Sequence, residues 1–285
     1  MSVSNKKGSL KIVGCGFQAV RQLTLESKMM IEQADKVLYG VNEPVSELYI
    51  KKLNSNSESL MRFYKGGKYR PDTYKEMVEL TLKYVREGVN LCVVYYGHPG
   101  VFVNPSHESI RQARSEGFDA HMFPGISAED CLFADLGIDP GTVGCQSFEA
   151  TDFLLNRRKF DIFSHLILWQ IGGIGDFTYD PDRDNKPNLM ILVDFLERYY
   201  GPDHQVCIFQ AAVYAICEPI IQYLPLSKVI SEGLVNYAST LYVPPKKYYP
   251  KGDYQMAHKL GIYNQLKPTD IHFSFKRLFR LNDRK

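Results

Sequence analysis

The sequence lacks several features that would place the protein in a particular class. Lys and Arg total 34 against 32 Asp and Glu, so the net charge of +2 gives no general attraction for a polyanion such as RNA. The six cysteines include no Cys-x-x-Cys pair, and most stand in apolar surroundings that suit reduced thiols. No apolar run approaches the roughly 20 residues that cross a bilayer, and none follows the polar start of the chain. The sequence therefore predicts a cytoplasmic enzyme without a membrane partner.

Metal and dinucleotide motifs are incomplete in this sequence. The seven histidines form no His-Glu-x-x-His pairing. Residues 180–184 carry alternate aspartates as in a calcium loop, but Asn185 and Ile191 stand where that loop needs glycine and glutamate. Gly14-Cys15-Gly16 follows an apolar run, yet Ala19 replaces the third glycine of a dinucleotide fingerprint and no acidic ribose partner follows. The sequence predicts no metal site and supports NAD binding only weakly.

Predicted strands and helices alternate along the first half of the chain. Apolar runs rich in β-branched residues at 10–13, 36–41 and 91–94 are separated by segments such as 25–34, which predicts a helix. This alternation is typical of α/β folds with a parallel sheet. A chain of 285 residues is long enough for two packed domains. We therefore predict a two-domain α/β protein.

A turn-rich stretch at residues 137–144 marks the predicted domain boundary. Beyond it, the pattern predicts a flexible loop at 172–187 between further strands and a helix. The predicted strands are 166–170, 205–210 and 239–243, and the predicted helix is 188–200. The predicted limits are 8–143 for the N-terminal domain, 144–245 for the C-terminal domain and 246–285 for a C-terminal tail.

The tail combines cations with aromatic side chains. Pro268–Lys285 carries five basic side chains against two acidic ones, interleaved with Phe273, Phe275 and Phe279. Such a composition suits RNA binding, a docking segment or a partly ordered chain end. We favour the last two interpretations.

Residues 93–102 are the leading candidate for a functional site. The apolar run 91–94 predicts a buried strand, which breaks at Gly97-His98-Pro99-Gly100. Open α/β sheets bind ligands beyond the carboxyl ends of their strands, and glycines there let the backbone approach a ligand. The alternative is an ordinary tight turn, because glycine and proline punctuate most loops.

A second informative segment joins a glycine-bearing loop to a helix. Thr73 and Glu76 have the spacing of a capping box, so the helix is predicted to start near Thr73 with Tyr74 in its first turn. The loop can fold back so that the Arg70 guanidinium meets the phenols of Tyr64 and Tyr74. The alternative is that Tyr74 is a core aromatic and Arg70 a surface residue.

Pro124-Gly125-Ile126-Ser127-Ala128 predicts another turn from a strand to a helix. Ser127 is the predicted N-cap, Asp130 stands at the third helical position, and Gly137 ends the helix. The N–H groups at the start of such a helix can face a carboxylate or a ribose. Turns of this kind are common, so the motif alone is weak evidence.

The order and spacing of these motifs resemble those of the S-adenosylmethionine-dependent tetrapyrrole methylase superfamily, from residue 8 to about residue 245. The motifs that carry the resemblance are the Gly14-Cys15-Gly16 opening, Tyr96-Gly97-His98-Pro99-Gly100-Val101-Phe102, Pro124-Gly125-Ile126-Ser127-Ala128, the strand end at Gln170, Ala211-Ala212 and Ser239-Thr240.

Within that superfamily, one branch matches more closely. Tyr64, Arg70, Tyr74 and Tyr96 together with the Gly-His-Pro-Gly loop resemble the borosin peptide backbone α-N-methyltransferases, whereas corrin and porphyrin enzymes carry a Gly-Asp-Pro loop there. Further segments are similar to the bacterial split members of that branch, namely 148–150, 168–170 and 258–262.

The resemblance implies two stacked α/β domains, with the substrate and catalytic residues in the N-terminal one and the C-terminal one completing a cofactor cleft between them. It implies S-adenosyl-L-methionine as cofactor, S-adenosyl-L-homocysteine as product, no metal, and a homodimer whose subunits wrap around each other. The residues that it places around the cofactor are Tyr96, His98, Val101, Phe102, Ser127, Ala128, Gln170, Ala211, Ala212, Ser239 and Thr240.

The same resemblance suggests how a backbone amide is methylated. An amide nitrogen is a poor nucleophile because its lone pair is delocalised into the carbonyl, so its proton must be removed. A phenolate can assist if a nearby arginine lowers its pKa. We therefore assign Tyr74 as base, Arg70 as its activator, Tyr64 as their support and Tyr96 as a donor to the carbonyl oxygen.

The substrate is expected to be a separate chain. Fused borosins carry a clasp domain and an apolar substrate peptide at their own C-terminus, but residues 246–285 contain no run of small apolar residues. We expect iterative methylation of a ribosomally made precursor peptide, in a heterotetramer of two enzymes and two precursors. Nucleic acid is not the expected partner.

Three alternatives stay open at this point. A corrin or porphyrin methyltransferase shares the fold but does not explain the tyrosine and arginine set. An RNA methyltransferase would suit the basic tail, and a strongly salt-dependent affinity for RNA would favour it. A catalytically silent peptide-binding subunit would not bind S-adenosylmethionine.

Overall fold

The computed structural model describes residues 7–18, 20–178, 180, 183–247 and 254–263. The chain forms two five-stranded sheets with helices, so the α/β prediction is confirmed. It groups into two compact units that are each discontinuous in sequence. The first unit extends to Asp135 and includes Asp176–Arg183 and Gln210–Ile220, and the second contains Leu136–Gly175, Asp184–Phe209 and the chain from Ile221 onward. The predicted domain limits assumed continuous domains and stay a prediction.

The first sheet is entirely parallel and has the strand order β3-β2-β4-β1-β5. Its strands are β1 (Ser9–Gly14), β2 (Lys36–Gly40), β3 (Ser57–Ser59), β4 (Asn90–Tyr95) and β5 (Asp119–Met122). The accompanying helices are α1 (Leu25–Gln33), α2 (Pro44–Leu53), α3 (Arg70–Arg86), α4 (Asn104–Ser115) and α5 (Ala128–Leu136).

Both faces of this sheet are buried. Leu91 and Val93 of β4 pack in a cluster with residues of α3 and α4, whereas Cys92 and Val94 pack in another with residues of α1 and α2. Successive side chains of a strand point to opposite faces, so a strand covered by helices on both sides is apolar throughout. The ends of the strands are therefore where this sheet presents polar chemistry.

The second sheet is mixed, with the order β6-β7-β10-β8-β9. β6 and β7 are parallel, and β10 runs antiparallel to both β7 and β8. The elements of this region are β6 (Cys145–Glu149), α6 (Ala150–Leu155), β7 (His165–Trp169), α7 (Lys186–Tyr200), β8 (Gln205–Gln210), β9 (Ile220–Pro225), α8 (Val229–Glu232), β10 (Thr240–Val243) and α9 (Tyr254–Lys259).

The capping box predicted for α3 is wrong. The helix begins at Arg70, one turn before the predicted start. Thr73 lies inside it and donates to the carbonyl of Phe63 at 3.4 Å, and Glu76 pairs with Lys68 at 2.6 Å.

A tertiary contact replaces the local cap of α3. The backbone N–H of Arg70 donates to the carbonyl of Phe177 at 2.9 Å. Pro71 follows, and proline suits the first turn because it has no N–H to satisfy. A contact with residues so distant in sequence cannot be found from local spacing.

The predicted flexible loop at 172–187 is partly buried. Gly173, Ile174, Asp176 and Asn185 are among its buried residues. The predicted tail segment Pro268–Lys285 lies outside the described residues. Within the described ranges, no helix combines the length and hydropathy that a bilayer crossing requires.

Candidate functional site

Three loops meet closely at the carboxyl end of the first sheet. Gly16 and Gly97 form an antiparallel bridge, with the Gly97 N–H donating to the Gly16 carbonyl at 2.9 Å. A Cβ added to Gly14 would lie 2.2 Å from the Gly97 oxygen, and one added to Gly125 would lie 2.7 Å from the same oxygen. Only glycine permits this approach, so the loops after β1, β4 and β5 form one backbone cradle.

Local hydrogen bonds hold the loop after β4, and some of its side chains are exposed. The backbone N–H of Gly100 donates to His98 Nδ1 at 2.9 Å, and the Val101 N–H donates to the His98 carbonyl at 3.1 Å. Tyr96 is 47% exposed and packs edge-on against Phe17, with ring centroids 5.6 Å apart.

Phe102 ends this loop in an unfavourable backbone conformation. Its φ of 56° lies in the left-handed region, and its side chain is 50% exposed. Val101 beside it is also exposed. A strained, exposed aromatic residue on an ordered loop points to a binding function.

The Ser127 turn after β5 has the predicted capping geometry. The Ser127 N–H and hydroxyl each donate to Asp130 Oδ2 at 2.7 Å, and the Asp130 N–H donates back to the Ser127 hydroxyl at 3.2 Å. Ala128 is the first residue of α5, and Gly137 follows its end with a φ of 64°. The N-cap and the helix stop are confirmed.

A different group of predicted residues meets at one end of the second sheet. The pairing of Leu168 with Leu241 places Gln170 next to Ser239, and the Ile171 N–H donates to the Ser239 carbonyl at 3.0 Å. Gln170 has a φ of 58° and a ψ of 38°, which is left-handed and uncommon outside glycine.

Small, buried residues precede or begin β10 and follow β8 along the chain. Ser239 and Thr240 are buried, and the Ser239 hydroxyl accepts from the Asn236 N–H at 2.9 Å. Ala211 and Ala212 are the buried residues that follow β8 along the chain. The structure thus brings Gln170, Ser239 and Thr240 together.

Two of the tyrosines predicted to be catalytic lie on the side of the first sheet that α3 and α4 cover. Tyr64 follows a short 3₁₀ turn, Tyr74 lies on α3, and both are partly buried against the same core cluster. Burial and then the neighbouring phenols of Tyr74, Tyr96 and Tyr95 raise the pKa of Tyr64. A hydrogen bond between Tyr64 and Tyr74 acts in the same direction, so Tyr64 keeps its proton near neutral pH.

Residues 176–178 hold Arg70 and its neighbour at the start of α3. The Arg70 guanidinium donates to the Asp176 carbonyl, its backbone N–H donates to Phe177, and the preceding Tyr69 forms a bridge with Thr178. Arg70 is four residues before Tyr74, so the two side chains project from the same side of α3.

The Asp176 carboxylate fixes this segment. Its Oδ1 accepts from the N–H and the hydroxyl of Thr178, each at 2.7 Å. Burial acts to raise the pKa of Asp176, but these hydrogen bonds and the charge of Arg70 outweigh it and hold the pKa below the ordinary value. No cluster of metal-ligating side chains occurs within the part of the chain that the structure describes.

Comparison with known families gives this geometry a context. The family described as Tetrapyrrole (Corrin/Porphyrin) Methylases matches residues 9–215. The chain belongs to this family. Two solved tetrapyrrole methylases share the fold at low sequence identity. They are uroporphyrin-III-C-methyltransferase from Thermus thermophilus, with a TM-score of 0.59, 18% identity and coverage of 92% of this chain and 97% of that one, and cobalt precorrin-4 methyltransferase, with a TM-score of 0.58, 17% identity and coverage of 83% and 94%.

The predicted resemblance to borosin enzymes is confirmed by a methyltransferase/ribosomally synthesized type I borosin cyclic peptide precursor of Coprinopsis marcescibilis, which is 44% identical over 248 residues, 85% of this chain and 63% of the relative. A methyltransferase/ribosomally synthesized cyclic peptide gymnopeptides precursor of Gymnopus fusipes is 45% identical over 278 residues, which are 95% of this chain and 66% of the relative. The corresponding omphalotin A precursor of Omphalotus olearius is 44% identical over 250 residues, which are 86% of this chain and 60% of the relative. The chain therefore spans slightly less than two thirds of the length of these relatives.

Two residues of this candidate site were not identified from the sequence. Tyr95 ends β4 as a buried residue, and it resembles any other apolar strand residue in the sequence. Asp176 lies in the loop predicted to be flexible, where only the Asp-x-Thr spacing with Thr178 signals a local turn.

Proposed function

We propose that this chain is an S-adenosylmethionine-dependent methyltransferase that N-methylates backbone amides of a ribosomally made precursor peptide, acting repeatedly on one peptide. The observation that carries the proposal is the hydrogen-bonded pair of Tyr64 and Tyr74, beside Tyr96 and near the end of β4. The printed names of the relatives, which join a methyltransferase to a cyclic peptide precursor, support the choice of substrate.

Removal of the amide proton is the step that needs the phenols. Tyr74 is proposed as the base, because Tyr64 keeps its own proton and can stabilise a Tyr74 phenolate through the hydrogen bond between them. Tyr96 is proposed to donate to the amide oxygen as negative charge develops there.

Arg70 is proposed as the activator of Tyr74. A guanidinium carries a permanent positive charge, and Arg70 lies one helical turn before Tyr74 on α3. The contacts of Arg70 with Asp176 and Phe177 keep this charge at the start of α3. Its own hydrogen bonds therefore make Arg70 a fixed rather than a mobile charge.

The cofactor, when bound, supplies an activated methyl group. The glycine cradle around Gly97 in the first unit suits a ligand that needs close backbone approach. The residues proposed to hold it are Tyr96, His98, Val101, Phe102, Ser127, Ala128, Gln170, Ala211, Ala212, Ser239 and Thr240.

The assembly is also a proposal. We infer a cytoplasmic homodimer that takes its precursor peptide as a separate chain, two of each forming a heterotetramer. None of the six cysteines forms a disulfide with another described residue, and four of them are buried, which suits a reducing compartment.

The test is methyl transfer to a defined peptide. The purified protein is incubated with S-adenosylmethionine and a precursor peptide that carries an apolar tail, and mass spectrometry with fragmentation locates each added methyl group. We expect additions on backbone nitrogens. Methylation found only on side chains, on RNA or on a tetrapyrrole supplied in parallel reactions would contradict the proposal.

A further inference from the structure

Helix α7 carries an apolar stripe beside its core-forming face, and Phe195 in the middle of that stripe packs partly against the core of the second unit. Leu192 and Leu196 are fully buried in that core. Ile191, Phe195 and Tyr199 recur every four residues along another face, where Ile191 is 58% and Tyr199 is 45% exposed. An exposed apolar stripe on a helix that is already packed on its other side indicates a surface for another molecule.

This stripe forms one wall of a groove of about 760 Å³. Leu154 of α6 and Phe160 line the groove as well. The Phe160 ring packs against Tyr199 and Phe195 at centroid distances of 5.0 and 6.2 Å. A groove of this size, with an apolar floor, holds several side chains of a partner.

The rim of the groove is basic. Arg157, Lys159 and Arg198 line it and are exposed, and none of them makes an ion pair with another described residue. Only Arg158 among the lining cations is paired, through a 2.7 Å contact with Asp152. Carboxylates on a partner would complement the three unpaired charges.

Arg157 holds its position at an energetic cost. It follows α6 with a φ of 45°, while its N–H donates to Leu154 and the next N–H donates to Phe153. This is the position after a helix where glycine is usual, because a left-handed conformation is sterically unfavourable for residues that carry a Cβ. The exposed Arg157 side chain does not recover that cost by packing, which indicates a functional reason for the cation.

We propose that this groove docks a helical peptide segment of another protein molecule that presents carboxylates beside large apolar side chains. The chain's own Pro268–Lys285 is unsuited, because it carries five basic against two acidic side chains. Single-stranded RNA needs open ring faces for base stacking, whereas the rings of Phe160, Phe195 and Tyr199 pack against one another. The docking is separate from methyl transfer and does not require the proposed function.

The first test measures binding of a fluorescein-labelled synthetic peptide that places Glu and Leu at helical spacing. Fluorescence anisotropy is compared for the wild type and for Arg157→Gly combined with Arg198→Gln. The glycine relieves the backbone strain while it removes a charge, so the variant should melt no lower than wild type. We expect its affinity to fall about tenfold, and we expect Arg111→Gln, which removes an exposed cation in the first unit, to leave affinity unchanged.

The second test separates docking from general charge attraction. Ile191→Ser should weaken binding about tenfold, because the exposed apolar side chain that would contact the peptide is removed. Serine has a similar helix propensity, so α7 itself should be unaffected. The same peptide with Leu replaced by Ser should also bind weakly. Equal binding of the two peptides, or equal affinity of the wild type and the Arg157→Gly, Arg198→Gln variant, would overturn the proposal.

Two further outcomes would assign the groove to another occupant. An RNA oligonucleotide that binds more tightly than the peptide and loses affinity in the same variants would make it an RNA site. Loss of an oligomer in Ile191→Ser, seen by light scattering without peptide, would make it an interface between copies of this chain. Either result would replace the peptide proposal, whatever the methyl transfer assay shows.

Discussion

The strand ends of the two sheets are built in different ways. At the first sheet, the distinctive groups are side chains, because Tyr64, Tyr74 and Tyr96 are close enough to shift a pKa. At the second sheet, the distinctive group is the backbone, because Gln170 is left-handed and its neighbour Ser239 is small and buried. The difference suggests a division of labour, in which the phenols set the rate of methyl transfer and the second strand end sets the affinity for the cofactor.

Tyr74→Phe tests the first half of this division and should have the largest effect. The change removes one hydroxyl and keeps the ring that packs against the core. If Tyr74 is the base, methyl transfer should fall by about 10²-fold or more, since positioned proton transfer typically contributes that much. Cofactor affinity, measured by calorimetry, should stay the same.

The matched control lies on the same helix. Tyr84 is also partly buried on α3, and its hydroxyl bonds to Glu58 at 2.9 Å. Tyr84→Phe should lower stability by about 1 kcal/mol and leave the transfer rate near normal. Near-normal backbone methylation by Tyr74→Phe would remove the proposed role of Tyr74.

Gly125→Ala asks whether the first sheet also depends on its backbone. The new Cβ would lie 2.7 Å from the Gly97 oxygen and 3.0 Å from the Gly14 Cα, and both are main-chain atoms that cannot swing away. We expect a loss of about 1–3 kcal/mol in the free energy of unfolding, with weaker cofactor binding. Thermal and denaturant unfolding measure the first quantity.

Gly66→Ala is the control for added bulk. A Cβ at Gly66 meets no atom within 4 Å, so its effect should stay within about 0.5 kcal/mol. If Gly125→Ala is equally mild, the cradle is less rigid than its contacts indicate.

Asp176→Asn should have an intermediate effect on the rate. The variant keeps an oxygen for the Thr178 hydrogen bonds but removes the charge that faces Arg70. We expect methyl transfer to fall about fivefold, because the Asp176 backbone carbonyl still accepts from the Arg70 guanidinium and only the attraction between the two charges, roughly 1 kcal/mol, is lost. Unchanged cofactor affinity would place the effect in the positioning of Arg70.

The acid dependence of stability gives a second measure of Asp176. Its pKa is held low, so its stabilising effect is present above the ordinary carboxylate pKa of about 3.9 and is lost as the pH falls through the lower folded-state value. The difference in melting temperature between the wild type and Asp176→Asn should therefore be largest near neutral pH and shrink in acid. A difference that grows in acid would contradict the assigned direction.

Local chemistry decided which features the sequence could predict. The Ser127 cap with Asp130 and the stop at Gly137 depend on residues a few positions apart, so the spacing alone predicted them correctly. The glycines near Gly97 were identified as a turn, but their mutual approach follows from the parallel order of β1, β4 and β5.

Long-range contacts decided what the sequence could not predict. The start of α3 is set by residues 176–177, and no periodicity within the helix records such a partner. The left-handed Gln170 was likewise invisible, because glutamine has no preference for that conformation. Only the family resemblance predicted that Gln170 lies near the cofactor.

Gln170→Gly should have the smallest effect and tests the second half of the division. Glycine adopts a φ of 58° without the steric cost that glutamine bears, so relief of strain offsets the greater freedom of the unfolded chain. The free energy of unfolding should change by less than about 1 kcal/mol. A change in cofactor affinity can then be attributed to the missing side chain alone. If Gln170 contacts the cofactor with one hydrogen bond worth about 1 kcal/mol, affinity should fall about fivefold while the transfer rate at saturating cofactor is unchanged. Asparagine tolerates the same backbone conformation with a shorter side chain. The cofactor affinity of Gln170→Asn should therefore lie between that of the wild type and that of Gln170→Gly. A slower transfer rate at full cofactor affinity would instead move Gln170 into the group that governs chemistry, and the distinction between the two strand ends would no longer hold.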